Sequence, residues 1–364
     1  MNPTNFPGTY NLRHLRFSNY EQGLANTMGN ILDVQPSERL LIVTTQVRPE
    51  DWSSLSRTEQ RRRRETYTMA RFLQRYAQQI GLKNVEFVEY DAPLRNAVDP
   101  PAEVIERMLH YTDEGTAMIL MPWDSLTHTQ VRKQANKLGA RIMSSPHFSA
   151  EMMENGGPMC ADYSEVRQIS EELAAALNEA NGSTVTAPNG TELHLFYEVE
   201  APAEPDTGDV TKPGSVSNLP AGETYRALRR EGHGILRGVL LGEEVGISFE
   251  NGLAKEVLTD GKVSRRVRST LFPEGDESEA IVNRRQFAED GTGTNRMLAQ
   301  DPMRWTYSPL TAEKIYGTKH LAPGDNHTFG GTNEADYHED VVIFNPTWTL
   351  DNGRVLMNDG ELTL

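Results

Sequence analysis

The first half of the sequence alternates short apolar runs with longer segments of helical periodicity. The apolar runs are strand-sized: RLLIVTT (39–45), NVEFVEY (84–90), AMILMPW (117–123) and ARIMSSP (140–146). Helical segments separate them, the longest being EQRRRRETYTMARFLQRYAQQIG (59–81). Apolar strands that alternate with helices are typical of βαβ units built around a parallel sheet. The pattern therefore predicts an α/β N-terminal domain with a Rossmann-like parallel sheet.

No phosphate-binding fingerprint accompanies this layout. Between IVTTQ and the arginine run at 61–64 there is no G-x-G-x-x-G, so the sequence gives no indication of a dinucleotide. The helical pattern continues through YSEVRQISEELAAALNEANG (163–182), and Gly182 is predicted to cap the C-terminus of this helix.

The texture of the sequence changes after this helix. The dipeptide NG at 189–190 stands between STVTAP and TELHLFYEVE, which predicts a β-hairpin. Glycine-rich runs of β type follow, among them GILRGVLLG, GISFENG and VVIFNPTWTL. We therefore predict two domains: an α/β domain over residues 1–182, and an α+β domain with antiparallel sheet over residues 183–364 that carries the functional site.

Composition and charge exclude several classes of function. A net charge of −16 argues against a nucleic-acid partner, because phosphate binding needs a basic surface. No apolar run approaches the length of a membrane span, so no membrane partner is expected. The absence of an apolar signal segment at the N-terminus and the single cysteine, Cys160, lead us to expect a cytoplasmic protein.

One segment, HLAPGDNHTFGGTNEADYHED (320–340), holds three of the nine histidines. Within it, His338 and Asp340 are two residues apart, so on a strand both would point to the same side. Imidazole and carboxylate ligands suit zinc, cobalt, manganese or ferrous iron. An H-x-D pair also occurs in strands that bind no metal, so a histidine-rich polar loop remains the alternative at this point.

Two glutamates lie upstream in segments of small residues. Glu223 stands in SNLPAGET and Glu289 in FAEDGTGTN. Small neighbours let a backbone pass close to a site, which makes both glutamates candidate ligands. Each one, considered separately, is also typical of a solvated turn.

Five segments in the order NLPAGE, AEDGTGTN, LTAEKIYGTKHLAPGDN, GGTNEADYHED and DNGRVLMNDGEL resemble the successive motifs of the M29 aminopeptidases, the thermophilic aminopeptidase T type. The resemblance covers most of residues 216–364. It implies a homodimeric hydrolase that removes the N-terminal amino acid from a short peptide or related amide. The cofactors implied are two divalent metal ions, zinc, cobalt or manganese, which activate a water molecule.

The resemblance also assigns roles to individual residues. Glu223 would bridge both ions, Glu289 and His320 would bind one of them, and His338 and Asp340 would bind the other. Glu289 or a nearby acid would move the proton of the attacking water. The acid in TAEKIYG, Glu313, is the candidate for binding the free amino group of the substrate or for supporting the ligands.

The sequence departs from the family pattern at three positions. His327 stands where aminopeptidase T enzymes have a tyrosine that assists catalysis, and its imidazole could donate a similar hydrogen bond. We therefore include His327 among the catalytic candidates. Asp290 and Pro323 each replace an apolar residue. A peptide substrate is thus an expectation that comes from the relatives.

Two other classes of function compete with hydrolysis. The 2,5-dihydroxypyridine dioxygenases belong to the same superfamily and hold one ferrous ion with two histidines and one aspartate, which His320, His338 and Asp340 could supply. A single iron does not need Glu223 and Glu289, so their presence in the motifs favours the two-metal hydrolase. The second competing class is a metal-free binding protein, in which all five candidate ligands would be present without binding a metal.

Overall fold

The computed structural model describes residues 15–47, 52–92 and 98–364. The chain divides into two compact units, Met1–Tyr163 with Gly208–Pro220 and Ser164–Thr207 with Ala221–Leu364. We predicted one boundary after residue 182. The structure instead groups the helix before it with the second unit, because Leu173 and Leu177 pack in that unit's core. Residues 208–220 return to the first unit.

The first unit alternates helices and strands, as predicted. Numbered along the whole chain, its elements are α1 (Glu21–Asn26), β1 (Arg39–Val47), α2 (Arg57–Gln79), β2 (Asn84–Ala92), α3 (Ala102–His110), β3 (Thr116–Met121), α4 (Gln130–Lys137), β4 (Arg141–Ser144), α5 (Ala150–Met153) and β8 (Val216–Asn218). Its sheet has the order β2-β1-β3-β4-β8 with parallel neighbours. The predicted α/β domain with a parallel sheet is confirmed.

Burial explains why these runs become central strands. Residues Leu40 to Val43 of β1 and all of β3 are buried, so both faces of the sheet are covered. A strand covered on both faces reads as a continuous apolar run. Helix α2 begins at a capping box, in which the Ser56 hydroxyl accepts from the Glu59 backbone and Glu59 accepts from the Ser56 backbone.

The second unit is built around an antiparallel sheet. Its elements are α6 (Tyr163–Asn178), β5 (Gly182–Thr186), β6 (Glu192–Phe196), β7 (Glu204–Asp206), β9 (Glu223–Ala227), β10 (His233–Leu240), β11 (Glu243–Glu250), β12 (Leu253–Val257), α7 (Lys262–Leu271), α8 (Glu279–Arg284), β13 (Phe287–Gly293), α9 (Arg296–Ala299), α10 (Pro302–Trp305), α11 (Pro309–Ala312), β14 (Lys319–Pro323), β15 (Val341–Ile343), β16 (Thr347–Leu350), β17 (Val355–Asn358) and β18 (Glu361–Leu362). The sheet order is β18-β17-β16-β5-β6-β10-β15-β14-β13-β9-β7, with β11 joining β10 to β12. This confirms the predicted antiparallel-sheet domain.

The core of the second unit lies between this sheet and helices α6 and α7. Leu177 of α6 and Val267 of α7 pack in one cluster with strand residues such as Leu236 and Trp348. The hairpin predicted at NG is confirmed: β5 pairs antiparallel with β6, and Gly190 has a φ of 90° in the turn.

The predicted end of α6 is wrong. The helix stops at Asn178, and Gly182 is the first residue of β5. A Cβ at residue 182 would lie 2.4 Å from the carbonyl oxygen of Leu195 on the neighbouring strand. This glycine therefore permits close approach of two strands and does not cap the helix.

Over residues 15–47, 52–92 and 98–364, none of the helices combines the length and the apolar character needed to cross a membrane.

Candidate metal centre

Three adjacent strands present the first ligand candidates on one face of the sheet. Glu289 lies in β13, which runs between β14, the strand of His320, and β9, the strand of Glu223. The register sets Gly291 opposite His320 and Gly293 opposite Glu223. Because alternate residues of a strand share a face, Glu289 lies on the same face as both of these side chains.

Gly291 makes room for the imidazole of His320. A Cβ at residue 291 would lie 1.8 Å from His320 Nε2, a distance that no packed side chain could tolerate. Gly291, the first glycine of the AEDGTGTN segment, is therefore a steric requirement of the site.

His338 and Asp340 approach the same centre from the segment that leads into β15. His338 forms an isolated β-bridge with Gly324. Its Nδ1 lies 2.7 Å from the carbonyl oxygen of Asp325, and since a carbonyl only accepts, Nδ1 carries the proton. In the neutral imidazole, the form that binds a metal, Nε2 has a free lone pair, whereas in the protonated form Nε2 is a second donor. Nε2 lies 3.7 Å from Asp340 Oδ2.

The candidate ligands form two groups that share Glu289. His320 Nε2 is 3.2 Å from Glu289 Oε1 and 3.4 Å from Glu223 Oε2, while His338 Nε2 is 3.3 Å from Glu289 Oε2. The first group consists of Glu223, Glu289 and His320, and the second consists of Glu289, His338 and Asp340. Within each group the ligand atoms lie within 4.8 Å of one another. The resemblance gave the bridging position to Glu223, whereas the residue common to both groups is Glu289.

The donor atoms fit a divalent cation. Glu223 Oε2 and Asp340 Oδ1 are buried and have no hydrogen-bond partner among the described residues. A buried carboxylate oxygen without a donor is costly, and a bound cation would remove that cost. Three carboxylates and two imidazoles are ligands that zinc, cobalt, manganese and ferrous iron accept.

The electrostatics of the cluster point the same way. Burial alone lowers the pKa of a histidine, but the hydrogen bond to Glu289 and the charges of Asp340 and Glu223 raise the pKa of His320 to about 9. Burial raises the pKa of Glu289, yet hydrogen bonds from His320 and His338 bring it below its ordinary value. The His320 shift reflects a negative potential at its imidazole, which favours positive charge there, and the Glu289 shift reflects the two imidazoles that donate to it.

Lys314 is part of the centre, although the sequence analysis did not single it out. Its Nζ donates to Glu223 Oε1 at 3.0 Å and to Glu313 Oε1 at 2.5 Å. Burial by itself would lower the pKa of Lys314, but these two carboxylates raise it well above its ordinary value. Burial raises the pKa of Glu313 to about 8, against the opposing effect of Lys314. Glu313 thus joins the cluster through this lysine.

The only sequence signal for Lys314 is its position next to Glu313. Adjacent opposite charges usually lie on a solvated surface, so nothing in TAEKIYG shows that the lysine is buried.

The opposite face of β13 carries a second buried ion pair. Lys319 Nζ lies 2.6 Å from Asp290 Oδ1 and 3.5 Å from the ring centroid of Trp348. The Tyr197 hydroxyl donates to Asp290 Oδ2 at 2.8 Å. Asp290, which departs from the apolar residue usual in the family pattern, therefore has charged and hydrogen-bonding partners within the same unit.

His327, the catalytic candidate at the family tyrosine position, is the exposed first residue of the 3₁₀ turn His327–Phe329. Its backbone N–H donates to the carbonyl oxygen of Asn333. Among the described residues of this turn, Phe329 makes the contact with the centre. Its ring lies edge-on to His338, with ring centroids 6.0 Å apart. Pro323, the other departure, is the last residue of β14.

Comparisons with known proteins identify the fold. No sequence-family profile matches the chain, and no curated protein matches it. Among solved structures the chain is similar to 2,5-dihydroxypyridine dioxygenase from Pseudomonas putida KT2440, with a TM-score of 0.66 and 15% identity over 96% of this chain and 98% of that chain. At this identity the TM-score shows a shared fold, with an α/β domain and an antiparallel-sheet domain.

The steric role of Gly291 can be tested by Gly291→Ala. The new methyl group would displace His320, so we expect affinity for Co²⁺ or Zn²⁺ to fall at least about tenfold, measured by calorimetric titration. Gly29→Ala is the matched control, because a Cβ there meets no atom within 4 Å. Unchanged metal affinity in a folded Gly291→Ala protein would mean that His320 holds no ion.

The role of Lys314 can be tested by Lys314→Met in the presence of chelator. Loss of the buried cation leaves Glu223 and Glu313 without their shared partner, and we expect the free energy of unfolding to fall by about 3 kcal/mol in urea titrations. Lys255→Met, at an ion pair whose lysine side chain is 47% exposed, should change stability little. Equal stability of the two variants would show that Lys314 does not hold the acidic cluster together.

Proposed function

We propose that the protein is a two-metal hydrolase that removes the N-terminal amino acid from a short peptide or related amide. The observation that supports this most directly is that Glu289 belongs to both ligand groups, with one oxygen toward each histidine. Adjacent ion positions that share one carboxylate are characteristic of dinuclear hydrolytic centres. A homodimer in the cytoplasm is part of the same proposal.

In this proposal Glu223 and His320 complete one ion position, and His338 and Asp340 complete the other. When bound, the ions would supply Lewis acidity and an activated water. The contribution of the chain is to fix the donors: the Asp325 carbonyl orients His338, and Lys314 holds Glu223 Oε1, which leaves Oε2 as the oxygen that could bind an ion.

The acids of the centre would handle the substrate's amine and the proton. Glu313 lies beside Lys314, close to Glu223, and would accept a hydrogen bond from the free amino group of a peptide. Because both oxygens of Glu289 would be ligands, we assign proton transfer to the nearby acid Glu313, whose pKa burial raises to about 8.

A second candidate function is a mononuclear iron dioxygenase acting on a hydroxylated aromatic ring. It is supported by the structural similarity to 2,5-dihydroxypyridine dioxygenase. Its ligands would be His320, His338 and Asp340. In the structure, however, each ligand group contains only one histidine, and Glu289 completes both groups. We therefore place this candidate second.

Metal content separates the two candidates. Protein purified without oxygen or chelators and analysed by mass spectrometry should contain about two equivalents of zinc, cobalt or manganese, and should release amino acids from peptide amides. About one equivalent of iron, together with oxygen uptake on hydroxylated pyridines, would replace the hydrolase with the dioxygenase.

Because Glu223 belongs to one ligand group and Glu289 to both, their amide variants should differ. We expect Glu223→Gln to lose about one of two metal equivalents and all hydrolysis, and Glu289→Gln to lose both ions. Glu250→Gln, at a side chain that is 68% exposed, is the control. If Glu223→Gln kept full metal content and full turnover, the two-metal assignment would be overturned.

A further inference from the structure

The metal centre is open to solvent on the side of His338. The side chain of His338 is 28% exposed, compared with 12% for Asp340, 10% for Glu223 and Glu289, and 0% for His320. A substrate therefore reaches the centre past His338.

Two aromatic rings stand at this open side. Phe329 is half-buried and packs edge-on against His338, with ring centroids 6.0 Å apart. It also packs edge-on against Tyr225, with centroids 5.4 Å apart and planes at 82°. Tyr225 lies two residues beyond Glu223 in β9 and pairs across the strands with Gly291, so its ring borders the ligand face of the sheet.

The turn that carries Phe329 is held in one conformation. The side chain of Asn326 donates to the Leu228 carbonyl oxygen at 2.9 Å and accepts from the Asn333 backbone at 2.8 Å. The absence of a side chain at Gly331 lets Asn326 approach, since a Cβ there would lie 2.1 Å from the Asn326 amide group. Phe329 is therefore preorganised beside His338 and does not have to be ordered by the substrate.

We propose that Phe329 and Tyr225 form an apolar subsite beside the metal centre that selects substrates carrying an aromatic ring. The Tyr225 hydroxyl is already engaged with Glu204 Oε2 at 3.1 Å, so the ring is what this residue offers to a substrate. Two rings in edge-to-face contact leave a surface on which a third ring can stack or pack edge-on. A substrate held at the ions would place its side chain here.

This inference rests on the proposed metal centre, but its test does not require hydrolysis. Benzohydroxamate and acetohydroxamate carry the same chelating group and differ in having a phenyl ring or a methyl group. Calorimetry on the metal-loaded protein should show benzohydroxamate binding about tenfold more tightly, the size expected for one desolvated aromatic contact.

The variants then locate the preference. Phe329→Ala should reduce it to about twofold or less and Phe329→Leu should leave an intermediate value, while Tyr225→Phe, which keeps the ring, should retain it. Phe196→Ala is the control, because Phe196 lies on β6 and its side chain is exposed. Metal content is measured for every variant.

Two outcomes would overturn the proposal. Equal affinity of the wild-type protein for the two probes would show that no aromatic subsite exists. If Phe329→Ala lost metal and its affinity for both probes fell equally, Phe329 would only position His338. Failure to hydrolyse peptide amides with the aromatic preference intact would contradict the hydrolase and leave the subsite standing.

Discussion

The buried carboxylate of Glu289 lies on strand β13 of the antiparallel sheet, and the imidazoles of His320 and His338 contact it from two other segments. Its Oε1 lies 3.2 Å from His320 Nε2 and its Oε2 lies 3.3 Å from His338 Nε2. Transfer of an ionised carboxylate from water to a protein interior costs several kcal/mol unless hydrogen bonds or a cation replace the lost solvation. Since His320 belongs to β14 and His338 to the segment before β15, satisfying this one side chain holds three segments in register.

Strand β13 carries charge on both faces, and this fixes how it can pair. Glu289 faces the ligand groups, while Asp290 faces Lys319 and Tyr197 on the other side of the sheet. A shift of one residue would exchange the two faces and separate each acid from its partners. Lys319 and His320 alternate in the same way on β14, so the two strands specify one register. The buried ion pair on one face thereby contributes to the geometry of the ligands on the other.

Periodicity in the sequence was sufficient to predict both sheets, since apolar alternation reports burial directly. It missed the return of residues 208–220 to the first unit, because a strand as short as VSN has no apolar pattern. The motifs that carry the resemblance pointed to the ligand candidates, and the structure brings these side chains together. What they did not reveal depends on side-chain orientation in three dimensions: the sharing of Glu289, the burial of Lys314 and the position of Phe329. A lysine beside a glutamate and a phenylalanine between a threonine and a glycine have no distinctive spacing.

Charge balance in the centre can be met by one divalent ion or by two. One ion and Lys314 match the three carboxylates of the ligand groups if Glu313 is protonated, as its raised pKa of about 8 permits. Two ions and Lys314 come within one charge of balance if Glu313 is ionised. Charge therefore does not choose between one ion and two, and the two-metal proposal rests on geometry. It is supported by the two oxygens of Glu289, because Oε1 faces His320 and Oε2 faces His338.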